Sequence, residues 1–178
     1  MPVWAADTTA PGVPKFHRVN ERIYRGAQPD GEGWDSLAKL GVKTVIDLRP
    51  PSEHSCKAEE QAVQAAGMHY VNVPLSGVHA PSNKQISKVL GLLDDSASPV
   101  FMHCRRGADR TGTVIACYRI THDGWNNRRA LQEATSYGMS WIEFGMQRYV
   151  LTFHAAGAAN APPAPPTPPP PAPPQPPR

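Results

Sequence analysis

Cysteine is scarce in this sequence: Cys56, Cys104 and Cys117 are the three among 178 residues. An odd, low number excludes a disulfide-stapled scaffold, and without a CxxC pair a structural zinc site lacks ligands at the usual spacing. The seven histidines form no HExxH or HxxxH pattern, so metal-based hydrolysis has no motif to rest on. No apolar run approaches the ~18 residues of a membrane span. Charge of one sign is also in short supply. The net charge is +3, with Arg178 in the tail contributing one, and no long basic run is present. That excludes a dedicated nucleic-acid binder. Proline is no more than ordinary in density through residue 160, because 12 of the 21 prolines fall in Ala161–Arg178.

The chain length without that tail fits one domain at about 150 residues per domain, enough to bury a core. Residues 1–15 read as a flexible leader rich in Pro, Ala, Thr and Gly. Within it, Val3-Trp4-Ala5 before Ala6 has the small-x-small form of an export cleavage site, but lacks the charged and apolar regions that should precede one. Residues 16–155 read as the folded domain, and residues 156–178 as a disordered polyproline-type tail that cannot bury apolar area. The tail is passive, a ligand for a partner with an SH3-like groove, or a wall-spanning spacer.

Short strand-like pieces cover FHRV (16–19) and IYR (23–25), and buried strands cover Lys43–Leu48, His69–Val73 and Pro99–His103. Helices are expected over Trp34–Leu40, Glu53–Ala66, Ser82–Asp94, Thr111–His122, Asn127–Tyr137 and Trp141–His154. The clearest periodicity is Ile86, Val89, Leu90 and Leu93, one face of a helix. In the last helix Ile142, Met146, Tyr149, Val150 and Phe153 form the apolar face. Alternating strands and helices predict an α/β domain: a central, mostly parallel sheet of about four or five strands flanked by helices. Ligands bind beyond the carboxyl ends of such strands, where the loops at Arg49, Pro74 and Cys104 leave the sheet.

The chemistry concentrates in His103-Cys104-Arg105-Arg106-Gly107-Ala108-Asp109-Arg110-Thr111-Gly112, between a buried strand and a helix. Amide groups of a tight loop at a helix N-terminus converge on one centre and bind an anion. Gly107 lets the backbone turn. Arg110 supplies a planar fork for two phosphate oxygens. Cys104 stands at the mouth of the same site, where a helix terminus and nearby cations favour thiolate.

Cys104 through Arg110 and Thr111 write C-x5-R-[ST]. With the preceding histidine, the strand–loop–helix context and the order of elements from about Phe16 to His154, the chain resembles the cysteine-based protein tyrosine phosphatase superfamily, in its small dual-specificity branch. The resemblance implies a tyrosine-phosphatase-like fold and a two-step phosphoryl transfer without metal or cofactor. Cys104 would be the nucleophile. Arg110 and the loop amides of Arg105, Arg106, Gly107, Ala108 and Gly112 would bind the phosphate oxygens. Thr111 would hydrogen-bond the sulfur and help it leave. His103, counted with the phosphate-binding residues, would orient the loop and support the thiolate through its backbone contacts. Many members place an acidic proton donor on a separate loop, but Pro74–Pro81 contains no Asp or Glu. Myotubularin-like and some bacterial lipid-active phosphatases carry an Asp at the position of Asp109, which makes Asp109 the expected acid, with His79 or water as the alternative.

Other residues carry weaker readings. Cys117, in phase with Val114 and Ile120, is expected in the core. Cys56 is either an ordinary thiol or, as in some superfamily members, a disulfide partner for an oxidised Cys104. Arg49 and Glu53 are expected to pair, or else Glu53 braces Arg110. The expected substrates are phosphotyrosine and related phosphoprotein esters. The alternative is a phosphoinositide or inositol phosphate, favoured if Arg105, Arg106, His79 and Lys84 present their charge to the site. A rhodanese-type sulfurtransferase and a non-catalytic phospho-ligand binder rank behind, because the Arg-Thr-Gly ending and the full motif argue against them. A monomeric, soluble, cytoplasmic protein is expected as the chain stands, with export as the alternative.

Overall fold

The computed structural model describes residues 9–155. The Val3–Ala6 segment and the proline-rich tail lie outside the described residues. Five strands form one sheet: β1 (His17–Arg18), β2 (Ile23–Gly26), β3 (Thr44–Asp47), β4 (His69–Asn72) and β5 (Val100–His103). Their order is β1-β2-β5-β3-β4, with β1 antiparallel to β2 and every other pairing parallel. Six helices complete the described chain: α1 (Gly31–Lys39), α2 (Cys56–Ala65), α3 (Asn83–Asp95), α4 (Asp109–His122), α5 (Asn127–Ser136) and α6 (Phe144–Thr152). The mostly parallel α/β architecture agrees with the sequence reading.

Alternation along the strands divides the core in two. Ile23, Ile46, Val100 and Met102 face the cluster that contains Ile86, Val89, Leu90 and Leu93 of α3 and Val114, Ile115 and Cys117 of α4. Tyr24, Val45 and Phe101 face Trp34 and Leu37 of α1 and Val63 of α2. Such period-2 alternation on a sheet buried on both faces requires apolar residues at successive positions, which the TVID and VFMH runs largely supply. Burial of each large aliphatic side chain contributes about 1.5–3 kcal/mol, so the apolar stripe of α3 anchors that helix firmly.

Local signals fix the helix starts. Asp30, Ser55, Ser82 and Asn126 accept hydrogen bonds from first-turn amides of α1, α2, α3 and α5, and Ser82 with Gln85 forms a capping box. Two expected helices begin later than the sequence pattern suggests. Ser55 caps α2 at Cys56, which leaves Glu53 in the preceding loop. The last helix begins at Phe144, and Ile142 is exposed rather than part of its buried face. Residues 9–15 of the expected leader are irregular, but Ala10 and Val13 are buried against the second cluster. Backbone bonds from Ala27 N–H to Pro14 O (2.8 Å) and from Asp30 N–H to Gly12 O (2.9 Å) tie this segment down.

The register aligns Gly26, His103, Asp47 and Asn72, so β2, β5, β3 and β4 end together at one edge of the sheet. The loops that follow them converge there.

Candidate active site

β5 delivers Cys104 to that edge, and α4 starts at Asp109, so residues 104–108 are the loop between them. Cys104 is 2% exposed and Arg110 is 7% exposed. Gly107 adopts φ +65°, and a Cβ there would stand 2.4 Å from Gly26 C and 2.5 Å from Gly26 O. Only glycine fits this approach of two backbones. Arg25, 1% exposed, donates from Nη2 to Gly107 O at 2.9 Å and stacks over the Tyr137 ring at 4.8 Å. Burial pulls the Arg25 guanidinium below its ordinary range, partly offset by Glu133, Tyr137 and Cys104. The N-cap of α4, Ala108, offers no side-chain acceptor to the first-turn amides, unlike the caps of α1, α2, α3 and α5. This helix end therefore presents donors and positive dipole to an anion beside Cys104.

Arg110 is held by Glu53: Nη1 donates to Oε1 at 2.8 Å and Nη2 to Oε2 at 3.0 Å. The expected Arg49–Glu53 pair does not form, and the alternative bracing of Arg110 does. Release of Glu53 from α2 by the Ser55 cap gives the carboxylate its reach. The guanidinium has five N–H donors, and Glu53 uses one on each terminal nitrogen, so the edge containing Nε remains for phosphate oxygens.

Asp109, 6% exposed, is an acceptor twice over. Oδ2 accepts from Arg106 Nη2 at 2.7 Å, and Oδ1 accepts from the Ser140 amide at 2.8 Å. It thereby joins the loop to the turn before α6. Arg105 and Arg106 are exposed at the mouth.

Three sequence expectations for this segment change. His103 is fully buried, stacked on Phe101 (5.5 Å) and edge-on to Trp34 (6.1 Å), so its side chain faces the core and not a ligand. The Gly112 amide is spent on Ala108 O at 2.7 Å and is not available to phosphate. Its lack of a side chain serves packing instead, because a Cβ would meet Met139 Cε at 3.3 Å and Ala134 Cβ at 3.4 Å. The Thr111 hydroxyl is buried and makes no hydrogen bond with Cys104 or with any other described residue. Cys117 is fully buried as expected, and burial pushes its thiol up. Cys56 opens α2, with Sγ 3.9 Å from Asn72 Oδ1.

Sequence reasoning missed the polar network behind the loop. Arg49 binds Asp47 through Nε (3.0 Å) and Nη2 (3.1 Å) and pairs with Glu59 through Nη2. His54 Nε2 lies 2.7 Å from Asp47 Oδ2, Tyr70 donates to Asp47 Oδ2 at 2.9 Å, and His103 Nε2 lies 2.9 Å from Glu59 Oε1. Burial would raise the Asp47 carboxyl, but the His103 charge and the Arg49 hydrogen bonds and charge outweigh it and hold Asp47 below the usual carboxylate range. Burial and the neighbouring Asp47 push the Tyr70 hydroxyl far up. Asp47, His54 and Glu59 place ligand-type atoms within 4.8 Å of one another, but Arg49 already supplies the cation between the carboxylates. Asp47-Leu48-Arg49 at a strand end was the one available sign of this network.

Comparison with known proteins gives the context of these residues. The model of the family described as "DSP-PTPase phosphatase fused to NAD+ Kinase" matches residues 8–150. The dual specificity protein phosphatase TpbA of Pseudomonas aeruginosa strain UCBPP-PA14 is 30% identical over 146 residues, covering 74% of this chain and 63% of that protein. Inositol diphosphatase DSP2 of Oryza sativa subsp. japonica is 30% identical over 121 residues, covering 64% of this chain and 58% of that protein. The chain thus spans about six tenths of the length of these curated relatives. The crystal structure of a P. aeruginosa TpbA variant in complex with phosphotyrosine aligns with a TM-score of 0.68 at 25% identity, covering 83% of this chain and 87% of that one. This chain belongs to the family described as DSP-PTPase phosphatase fused to NAD+ kinase.

Proposed function

From that membership, we propose that this chain is a phosphoric monoester hydrolase that works through a cysteinyl-phosphate intermediate on phosphotyrosine and dual-specificity substrates. The observation that carries the reading is the pairing of Cys104 with an uncapped helix start and a pre-aimed Arg110 in one loop. Phosphate seats on the loop amides and the free edge of Arg110. The Cys104 thiolate attacks phosphorus, the S–P bond forms, and the ester oxygen leaves with a proton. Water then attacks phosphorus, the S–P bond breaks, and thiolate and inorganic phosphate are released. Charge on the equatorial oxygens grows in both steps and meets donors already in place, which is the term that lowers the barrier.

The proton for the leaving oxygen comes from Asp109 in this reading. It adjoins Arg110, and its Oδ2 is freed when the largely exposed Arg106 swings away. His79 is the second candidate: it sits on the loop whose Gly77 approaches Arg110, with Nδ1 3.1 Å from Ser76 Oγ. Thr111 acts on the sulfur only after a rotation that brings its unpartnered hydroxyl to Cys104.

A second reading, hydrolysis of inositol phosphates, draws support from the rice relative named an inositol diphosphatase and from the exposed Arg105. Turnover of para-nitrophenyl phosphate by the wild type and by Cys104→Ser tests the core proposal. The wild type should turn over and the variant should not. Activity above a few per cent in Cys104→Ser would remove Cys104 as nucleophile. Phosphotyrosine peptide and inositol phosphates assayed in parallel separate the two substrate classes.

A further inference from the structure

The chain exposes five large hydrophobic side chains among its described residues, and four of them fall on two short segments: Val78, and Trp141, Ile142 and Phe144. Exposed aromatic side chains gathered in one place mark contact surfaces. Both segments stand over the phosphate loop. A Cβ on Gly77 would lie 3.2 Å from Glu53 Oε1 and 4.0 Å from Arg110 Cζ, so the backbone next to Val78 covers the Arg110–Glu53 pair. The Ser76 hydroxyl accepts from the Val78 and His79 amides at 3.3 and 3.1 Å and fixes the turn that leaves Val78 70% exposed. On the other segment, the Ser140 amide donates to Asp109 Oδ1 at 2.8 Å, and the next residue, Trp141, is 77% exposed. Gln147 Nε2 donates to Ser140 O at 2.9 Å and secures this turn from α6. The two segments also approach each other, since a Cβ on Gly145 would stand 3.5 Å from the Ala80 amide nitrogen.

We infer that Trp141, with Val78 on the neighbouring segment, is the side wall that receives the ring of an aryl phosphate, and so makes aromatic monoesters preferred over inositol phosphates. The inference rests on the phosphatase reading and names its substrate class. The pairing of the arginines around Cys104 points the same way. Of the three arginines in the loop, Arg106 is matched by Asp109 and Arg110 by Glu53, which leaves Arg105 as the one without a carboxylate among the described residues. Glu143 follows the Trp141 turn as the N-cap of α6 and adds negative charge to that side. A ring bearing several phosphates would place anionic groups against an apolar wall and next to a carboxylate, at a cost in desolvation and repulsion. A phenyl ring would gain apolar contact and an aromatic neighbour.

Binding measured in the Cys104→Ser background separates this wall from the anion site beneath it. Inorganic phosphate, phenyl phosphate and myo-inositol hexakisphosphate are titrated calorimetrically into Cys104→Ser and into the same protein with Trp141→Ala or Trp141→Phe. Trp141→Ala should weaken phenyl phosphate about tenfold. Trp141→Phe should restore most of that loss, and neither should weaken inorganic phosphate or the hexakisphosphate. An unchanged phenyl phosphate affinity would overturn the inference, as would a parallel loss for all three probes. If the Cys104→Ser protein binds none of them, the anion site itself is refuted and the wall falls with it. If it binds inorganic phosphate but ignores Trp141, the wall alone is refuted.

Discussion

Glu53 and Arg110, 57 residues apart, face each other fork to fork, with both terminal nitrogens of the arginine bonded to both oxygens of the glutamate. The carboxylate fixes the plane of the guanidinium before any substrate arrives. It also matches one charge of the site, so that the bound anion meets an oriented dipole array more than a bare cation.

Glu53→Gln should leave Arg110 free to rotate, because an amide accepts on one atom and donates on the other. We expect kcat/KM for aryl phosphates to fall about tenfold, with little change in the melting temperature, since the Glu53 side chain is only partly buried. Arg110→Lys should be more severe, a loss of ~10²-fold or more, because an ammonium cannot hold two equatorial oxygens in one plane. Steady-state kinetics on the two variants checks the order. Wild-type rates in Arg110→Lys would refute the assigned role.

Gly107→Ala should damage both fold and activity. The added methyl would have to occupy the space of the Gly26–Ala27 backbone at φ +65°, where a left-handed residue with a side chain is strained even without a clash. A loss of roughly 2 kcal/mol or more in urea-induced unfolding is expected, with turnover reduced in the folded fraction. A variant with unaltered stability would mean that the loop does not pack on β2 as described.

Asp109→Asn separates proton donation from bracing. For an alkyl phosphate, whose leaving group needs a proton, the loss should be ~10²-fold or more. For para-nitrophenyl phosphate it should be small. Equal losses on both substrates would assign Asp109 to holding the Ser140 turn and Arg106 in place. No loss on either, together with a leaving-group-dependent loss in His79→Asn, would move the acid to His79.

Acid should destabilise the protein partly through Asp47. Its carboxyl sits below the ordinary range in the folded state, so its contribution is complete above the unfolded-state value of about 3.9 and is lost as pH falls through the folded value. Urea unfolding between pH 6 and the acid limit should therefore show a stability slope that Asp47→Asn flattens. An identical slope in the two proteins would remove Asp47 from the linkage.

Under the proposed mechanism, mild peroxide should abolish turnover reversibly. A sulfenic acid on Cys104 can condense with a second thiol and release water. Cys56 opens a helix that begins beyond the same sheet edge, whereas Cys117 is locked in the core with its thiol pushed up. Mass spectrometry of the oxidised protein should find a Cys104–Cys56 disulfide. Over-oxidised Cys104 without that disulfide would reject the pairing.

The sequence by itself determined the sheet-and-helix architecture, the apolar stripe of α3, and the loop from Cys104 to Arg110. Each is written in contiguous residues: a period of two or 3.6 in hydrophobicity, or ten neighbours whose spacing places a thiol, a glycine and a guanidinium around one anion. Tertiary structure decided what surrounds the loop. Glu53 looked like the first residue of a helix, and the Ser55 cap released it to reach Arg110. Arg25 supports the loop from 82 residues away, and Asp47, Arg49, Glu59 and His103 meet only because β3, β5 and α2 pack side by side. The physical reason is range. Backbone propensity and hydrophobic period act between near neighbours along the chain. A long polar side chain instead takes whichever partner the packed strands and helices bring within about 3 Å.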